Sequence, residues 1–298
     1  MNTKKFAFKY ADNFKTALFI ILLFISAMCY AQEEQEQEQI ITVFRSIFKL
    51  KLTVDYKFMF FEQPASSSMF QTTRPLDLGI GFSIFGFTLS TSFSIPLQHP
   101  QESKDAFSLD ISFDNYFADN SYSYGYIKYN SDFYSNNNND IDLSILNMGI
   151  SHEFILNKNH SIRSAYTLDR KQSVSNGSFL IGGGIFYTII RPSGILNEDF
   201  KSQKFSYFGP NFGYSYNWII KENYFLNVLS VFGVKLMINE GKLSFGFQAL
   251  PRISIGYHGK TWSANIYGNF SSLNVYPGEN AGFHLISGNV GTSFVKRF

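Results

Sequence analysis

Ser175 is the side chain whose setting comes closest to that of a catalytic nucleophile, within the segment Ser173-Val174-Ser175-Asn176-Gly177. A serine hydroxyl attacks an ester only when a base, most often a histidine, takes up its proton. The five histidines are scattered at positions 99, 152, 160, 258 and 284, so none is supplied next to Ser175 in the sequence. A polar hairpin loop is the simpler interpretation, and a hydrolase with Ser175 as its nucleophile is kept as the alternative.

Other candidate sites lack the partners that their chemistry requires. Gly182-Gly183-Gly184 has neither the Lys-Ser/Thr pair nor the following helix of a phosphate-binding loop, so we interpret it as a bend or close approach within a strand. Asp110 and Asp114 are four residues apart, which on a strand is about 13 Å and too far for an acid–base pair. His and acidic residues do not cluster at metal-ligand spacing. We therefore predict no catalytic, cofactor-binding or metal-binding residue, and expect a protein that is not an enzyme.

The first 31 residues have the features of an export signal. Lysines at positions 4, 5, 9 and 15 precede an apolar run at 17–25, and small residues lead up to Ala31. We predict a signal peptide over 1–31, cleaved after Ala31, with an uncleaved membrane anchor as the alternative. Cys29, the one cysteine, lies in this segment, so the mature chain would form no disulfide. Residues 32–44 are predicted to be an acidic Gln/Glu-rich spacer, and 45–298 the folded domain.

Composition narrows the class of the folded domain. The chain of 298 residues is 45% hydrophobic, 18% aromatic and only 16% charged, which is too apolar for a disordered protein. Repeated runs of about 20 apolar residues, as in a bundle of membrane-spanning helices, do not occur. The formal net charge is +2, and part of the lysine excess lies in the signal segment, so no basic field suggests nucleic acid as a partner.

Apolar and polar residues alternate along most of the chain after residue 50, which predicts strands with one apolar face. The clearest run is 243–258, where odd positions are mostly apolar, even positions are mostly small or polar, and Leu250 is the exception. Sixteen extended residues span roughly 50 Å, far more than the usual strand of about 5–6 residues. The same alternation recurs at 107–114, 208–220 and 262–270.

Long strands in an exported chain predict an all-β, antiparallel transmembrane β-barrel of about 12 strands, with 10 to 14 possible. Candidate strands lie near 50–62, 76–86, 87–97, 106–117, 122–130, 143–157, 161–171, 178–190, 205–220, 224–238, 242–258, 261–273 and 283–298. Thirteen is odd, whereas bacterial single-chain barrels have an even number, so one candidate must be false. We expect the false split between 106–117 and 122–130. Loops are predicted at 63–74, 96–105, 136–139 and 191–204.

Two details of the strand pattern carry further expectations. Pro210 and Pro251 fall on the apolar face inside two runs, which predicts bulges or bends there. The last run ends in Phe298, and this ending resembles the C-terminal signature of bacterial outer-membrane barrels, although Lys296 departs from its usual apolar residue. The resemblance implies an outer-membrane location, contact with outer-membrane lipid, and the barrel-assembly machinery as a partner that binds the Phe298 strand.

The polar faces of the strands would line the lumen with Ser, Asn, Gly, Tyr and a few charges. Asp110 and Asp114 share one inward face, and Arg252 lies on another. Arg163, Asp169 and Lys171 are predicted to share a third inward face, on the candidate strand 161–171. We expect these charges to pair across the barrel or to line a pore.

Several motifs resemble a known family of exported Gram-negative proteins with a domain of unknown function, regarded as outer-membrane barrels. They are RKQS at 170–173, NGSFLIGGGIFY at 176–187, GYSY at 213–216, NYFL at 223–226, RISIGY at 252–257, and RP at 74–75 with LGIGF at 78–82. The central GSFLxGGGIxY pattern is the most specific of them. This resemblance implies the fold and the location but no activity, substrate or site residue.

The leading functional interpretation is a non-enzymatic outer-membrane barrel with a polar lumen, acting as a narrow pore or a surface scaffold. The alternative is an outer-membrane hydrolase acting on lipid. It rests on Ser175-Asn176-Gly177, which is similar to the H-x-S-N-G segment of outer-membrane phospholipases but has Ser173 where those enzymes have the histidine. A soluble exported β-sandwich is the third possibility.

Overall fold

The computed structural model describes residues 40–44, 46–63, 68–72, 75–84, 87–95, 108–115, 120–135, 140–193, 202–239, 242–276 and 283–298. The predicted signal peptide 1–31 and most of the predicted spacer lie outside the described residues. So do the predicted loops 96–105 and 136–139. Within the described part of the chain, no helix has the length and apolar character needed to cross a bilayer.

The described residues form strands and one short helix. The strands are β1 (Ile41–Val43), β2 (Phe48–Gln63), β3 (Ser68–Thr72), β4 (Leu76–Ile84), β5 (Phe87–Ser94), β6 (Ser108–Asn115), β7 (Ser121–Ser135), β8 (Asp140–Ile155), β9 (Arg170–Gln172), β10 (Asn176–Ser193), β11 (Gln203–Ile220), β12 (Tyr224–Asn239), β13 (Lys242–His258), β14 (Trp262–Tyr276) and β15 (Phe283–Arg297). The helix, α1, is Arg163–Tyr166.

Twelve of these strands close into an antiparallel barrel, as the sequence predicted. Each of β2, β4–β8 and β10–β15 pairs with its neighbours, and β15 pairs with β2 to close the cylinder, with Thr292 opposite Val54. β3 pairs with the far ends of β2 and β7 and extends the wall there. β1 and β9 form a separate two-stranded sheet.

The alternating apolar and polar residues of each strand point to opposite faces of the barrel wall, apolar ones outward and polar ones into the lumen. On β13, Phe247 is 58% exposed whereas its neighbour Gln248 is 3% exposed. Because apolar side chains face outward around the cylinder, the outer surface matches the hydrocarbon of a membrane, and the polar side chains turn into the lumen. Outward-facing apolar residues include Val54, Leu78, Phe93, Ile127, Ile150, Phe179, Phe212, Phe232, Phe247, Ile266 and Phe294.

The extra candidate strand was 161–171, not a split of 106–117 and 122–130. Both of the latter are genuine strands, β6 and β7, and they pair with each other. Residues 161–171 instead contain α1 and part of β9 and form no part of the barrel wall. A wall strand needs one apolar face for lipid, and 161–171 has none, since it carries polar or charged residues on both alternating sets.

Of the bulges or bends predicted at Pro210 and Pro251, the structure shows no bulge. The register is continuous across Pro210, from Phe208 opposite Leu236 to Asn211 opposite Gly233, and across Pro251 in the pairing of β13 with β14. Each proline lacks the N–H that a ladder needs, so the pairs beside it are missing on one side of the strand only. On the other side, Pro210 still lies opposite Gly183.

The two ends of the barrel differ. At one end lie the short turn 221–223, the turn 259–261 and a hydrogen bond from the Phe298 N–H to the Phe48 carbonyl. We call this the turn end. The opposite end, where β2, β5, β10 and β14 finish and longer segments connect the strands, is called the loop end.

Candidate functional site

Residues 156–175, which connect β8 to β10, fold into the lumen at the turn end, and we call them the plug. The plug contains α1 and β9, and β9 pairs with β1, so Ile41 lies opposite Gln172. Residues 40–44, predicted as part of a spacer, are thus bound to the plug. The buried residues of the plug are His160, Ser161, Ile162, Arg163, Ser164, Ala165, Thr167, Leu168, Asp169, Arg170 and Gln172.

A buried ion pair organises the plug. The Arg163 guanidinium binds Asp169, with its Nε 3.1 Å from both carboxylate oxygens, and Lys49 of β2 lies 3.7 Å from the same carboxylate. Thr167 Oγ1 donates to Asp169 at 2.9 Å. Burial alone would raise the pKa of Asp169, but the charge and hydrogen bonds of Arg163, together with Lys49, hold that pKa well below its usual range.

The plug is bonded to the wall on several sides. Asn217 of β11 donates to the Ser161 carbonyl at 2.9 Å. Asn265 of β14 donates to the Ala165 carbonyl at 2.9 Å, and Ser254 of β13 donates to the same oxygen. Arg297 of β15 donates to the Leu168 carbonyl at 3.0 Å. These bonds give the backbone carbonyls of the plug the partners that burial demands, and they close the lumen at the turn end.

His160 has one paired and one unpaired ring nitrogen. The imidazole is fully buried in the plug, and its Nδ1 lies 3.2 Å from the Asn176 carbonyl. Its Nε2 is buried and has no partner among the described residues. Burial lowers the pKa of His160 to about 4, and the bond to Asn176 opposes this shift only in part.

The lumen near the loop end is filled by apolar side chains that the strand alternation did not predict. We call the following set the apolar layer: Met59, Ile145, Phe186, Ile190, Phe205, Tyr207, Met237, Leu273 and Leu285. The rings of Phe186 and Tyr207 stack with centroids 5.1 Å apart. Beside the layer, Lys57 is buried and bonds to Asp77 at 3.2 Å, to Ser94 at 3.0 Å and to Ser108. The lumen is therefore only partly the polar channel that was expected.

Between the plug and the apolar layer lies a polar cavity of about 180 Å³, which we call the chamber. Its wall is formed mainly by β2, β5–β7 and β13–β15, and Tyr166 of the plug contributes at the turn end. The charged and hydrogen-bonding side chains that line it include Lys51, Asp55, Asp110, Asp114, Tyr124, Tyr126, Lys128, Tyr166, Arg252, Tyr267, Asn269 and Asn289.

Several of these polar groups lack a protein partner. The Arg252 guanidinium stacks over Tyr124 at 4.6 Å and Tyr166 at 5.8 Å, and no carboxylate of the described residues lies within ion-pair distance. Asp110 Oδ1, Tyr166 Oη and Asn269 Oδ1 are buried and unpartnered in the described structure. Each such atom costs about 1–3 kcal/mol unless something in the chamber binds it.

The predicted lumen charges divide between the chamber and the plug. Asp110, Asp114 and Arg252 line the chamber, as their inward faces predicted. Arg163 and Asp169 pair with each other inside the plug, and Asp169 also forms an ion pair with Lys49 of the wall strand β2. Lys171 donates to Asn223 of the turn 221–223 at 2.9 Å.

Sequence reasoning missed two important chamber residues. Lys128 lies at an inward position of the alternating run 122–130, so the pattern contained the signal that would have found it. Tyr166 could not have been found in that way, because it reaches the chamber from the plug and not from a strand.

Ser175 is exposed at the turn end, and its hydroxyl accepts a hydrogen bond from the Ile219 N–H at 2.9 Å. Among the described residues no hydrogen bond links Ser175 to a histidine. Gly182-Gly183-Gly184 lies within β10, where a Cβ at Gly182 would collide with the His152 carbonyl of β8, so this glycine permits close approach of two strands. No group of three His, Cys, Asp or Glu in the described part of the chain could hold a metal ion.

Comparison with known proteins gives one family match. The profile described as domain of unknown function DUF4421 matches residues 30–298. No curated protein sequence matches the chain.

Among solved structures, the barrel is similar to an outer membrane channel from Pseudomonas putida F1, at 8% identity and a TM-score of 0.42, covering 89% of this chain and 100% of that one. It is also similar to the transport unit of the autotransporter AIDA-I from Escherichia coli, at 10% identity and a TM-score of 0.34. That match covers 92% of this chain and 97% of the other. A third similar structure is the P. putida toluene transporter TodX, at 7% identity and a TM-score of 0.30. That match covers 84% of this chain and 89% of the other. At these scores none of the three identifies a function for this chain.

Proposed function

We propose that this chain, which belongs to the DUF4421 family of proteins with a domain of unknown function, is a non-enzymatic outer-membrane β-barrel that forms a gated passage for small polar solutes. The plug and the apolar layer are the two gates, and the chamber between them is the solute compartment.

The proposed location rests on the export signal and on the outer surface. An apolar belt around a closed cylinder requires a bilayer, and barrels of this kind are inserted in the outer membrane with short turns toward the periplasm. The turn end, with the plug, would then face the periplasm, and the loop end would face outward. Carbonate extraction of membranes should leave the protein in the pellet, whereas a soluble sandwich would be released.

The chamber is the observation that carries the proposal. A barrel that serves only as a scaffold gains stability by filling its lumen with packed side chains, as it does in the apolar layer. The chamber is left unfilled, and among the described residues no carboxylate lies at ion-pair distance from Arg252 and no partner is found for Asp110 Oδ1 or Asn269 Oδ1. Such groups are costly to a scaffold but useful to a compartment that receives polar solutes.

Closure at both ends argues for a gate over a permanently open pore. The plug is bonded to wall strands that include β2, β11, β13, β14 and β15, and the apolar layer offers an ion little more than the Tyr207 hydroxyl to replace its water. Neither closure is covalent, and the plug is a single connection between β8 and β10 that can move without breaking the wall.

Conductance in planar lipid bilayers tests the proposal with four refolded preparations. They are the wild-type mature chain, a variant in which a short Gly/Asn turn replaces residues 158–174, the double variant Phe205→Ala/Met237→Ala, and the two changes combined. We expect steady unitary steps only from the combined variant, because each gate alone blocks ions. Faster migration of unboiled samples in gels confirms folding of each preparation.

Steady conductance from the folded wild type would refute the gated passage in favour of an open pore. Silence from a folded combined variant would also refute it, because the two gates would then not be what closes the lumen.

A further inference from the structure

We infer that the chamber binds an uncharged polyhydroxylated solute of the size of a monosaccharide. The inference names the solute class for the proposed passage and rests on that proposal for the route of entry. The recognising groups, however, are all present in the closed structure.

The size of the guest follows from the cavity. A volume of about 180 Å³ has room for on the order of ten waters, which corresponds to a solute of about ten non-hydrogen atoms. A second cavity of about 40 Å³ shares Asp55, Asp110 and Lys128 with the chamber and extends it toward the loop end. A disaccharide is about twice too large for this space.

The charges of the chamber disfavour any guest with a net charge. The side chains that line it carry as many positive as negative charges: Lys51, Lys128 and Arg252 against Asp55, Asp110 and Asp114. The two signs are interleaved, since Asp110 lies opposite Lys128 in the β6–β7 ladder. An anion near Arg252 would also approach Asp114, and a cation near Asp110 would also approach Lys128. For either ion, attraction to one side chain is therefore offset by repulsion from the next.

The unpartnered groups are a mixture of donors and acceptors. Asp110 Oδ1 and Asn269 Oδ1, which have no partner among the described residues, can only accept, and the Tyr166 hydroxyl can do both. Arg252, stacked on two tyrosine rings with no carboxylate of the described residues at ion-pair distance, can only donate. A hydroxyl group on the guest both donates and accepts, so a ring of hydroxyls can pair with every one of these groups whatever its sign. A zwitterion without hydroxyls has one donor end and one acceptor end and leaves some of them unpaired.

The key donor is held in position before a guest arrives. The Arg252 guanidinium stacks over the rings of Tyr124 and Tyr166, which come from the wall and the plug respectively. Because the stack fixes the plane of the guanidinium, less conformational entropy is lost when a guest hydroxyl binds it. Tyr166 belongs to the plug and lines the turn end of the chamber. Movement of the plug would therefore remove one ring from the Arg252 stack and open the chamber to release the guest.

Equilibrium dialysis of the refolded mature chain against radiolabelled D-glucose tests the inference. We expect saturable binding that L-glutamate, L-lysine and L-alanine displace at least tenfold more weakly than unlabelled D-glucose, and that maltose does not displace. Incubation must be long enough for the plug to open, so binding is followed until it no longer changes. Equal displacement by any of the three amino acids, or efficient displacement by maltose, would overturn the inference.

Two conservative variants locate the site and one serves as a matched control. Tyr166→Phe removes the unpartnered hydroxyl, and Asp110→Asn removes the negative charge and replaces one carboxylate oxygen by an NH2 donor. Both keep the shape of the side chain, and each should weaken glucose binding by about threefold to tenfold. Tyr214→Phe makes the same chemical change on a tyrosine of the outer face, outside the chamber, and should leave binding unchanged. If all three variants bind like the wild type, the chamber is not the site and the inference is refuted.

The two proposals fail in different ways. A folded wild type that conducts ions steadily refutes the gate, and glucose binding would still support the chamber. A folded wild type that is silent in bilayers but binds no glucose refutes the solute class and leaves the gate in place.

Discussion

Acidification should loosen the plug through His160. The neutral imidazole is buried with Nδ1 bonded to the Asn176 carbonyl, and protonation would create a second N–H at Nε2, where the described structure offers no acceptor. Burial accordingly lowers the pKa of this histidine from 6.5 to about 4 in the closed plug. In an opened plug, where water reaches the ring, the pKa would return to its ordinary value.

The sign follows from the direction of the shift. A group that is harder to protonate in the closed state stabilises closure fully above its ordinary pKa, and this contribution falls as the pH drops from 6.5 toward 4. At about pH 5 the open state is favoured by protonation roughly 30-fold, which is about 2 kcal/mol, whereas at about pH 7 the effect is negligible. We therefore expect the free energy of plug opening to fall by about 2 kcal/mol between these two values.

Hydrogen exchange followed by mass spectrometry measures this opening. Peptides that cover residues 160–172 are compared between the wild type and His160→Gln at each pH, so the intrinsic pH dependence of exchange cancels. The glutamine amide can still donate to Asn176 but does not titrate. His152→Gln, which changes a histidine of β8 outside the plug, is the matched control and should behave like the wild type.

A wild-type plug whose opening free energy is the same at about pH 7 and about pH 5 would refute this reasoning. So would a pH dependence that persists unchanged in His160→Gln, because another group would then be the one that titrates.

Three further perturbations test other parts of the structure. Asp169→Ala leaves two buried cations without their carboxylate and should destabilise the protein by about 3–5 kcal/mol in urea unfolding, so an unchanged midpoint would contradict a structural role for the ion pair. Phe232→Lys places a charge on the lipid-facing belt and should cost about 2–4 kcal/mol if this position lies near the bilayer midplane, whereas Ser287→Lys, in the lumen, should cost far less; equal costs would contradict the assigned faces. Deletion of Phe298 should reduce the amount of folded barrel in outer-membrane fractions, if this strand is recognised by the assembly machinery, and unchanged amounts would exclude that role.

The wall of the barrel could be predicted because one physical rule dictates it. Every wall strand separates lipid from lumen, so residues such as Phe247 and Gln248 must alternate, and the sequence shows this directly. Alternation alone gave thirteen candidates, and the number twelve followed from the even strand number of bacterial single-chain barrels. The rule fails for 161–171 because polar or charged residues occur in both of its alternating sets, as at Ser164 and Asp169, so neither set can face lipid.

The side chains that fill the lumen were harder to predict, because the alternating pattern allows either polar or apolar residues at inward positions. An inward position can hold a paired polar residue such as Lys57 or a packed apolar one such as Phe205, and which is chosen depends on the side chains across the barrel. Arg252 and Asp110 could be placed on the inner face, but Tyr166 completes the chamber from a connection that has no periodic signal. The sequence therefore indicated the chamber residues that come from wall strands but not the one that comes from the plug.

The pairing of β1 with β9 sets an order of assembly. Val43 lies opposite Arg170, so the plug is completed by a strand from the far N-terminal part of the chain, while the seam of the cylinder joins β2 to β15 at the very end. Contacts between such distant parts of a chain form late, because the loop between them must be closed first. The seam is also next to the place where β1 leads into β2, and Arg297 of β15 stacks on Phe44 at 3.6 Å. Arg297 also donates to the Leu168 carbonyl of the plug, so the strand that closes the cylinder contacts both the plug and the segment that follows β1. We therefore expect closure of the seam and binding of the plug to be coupled.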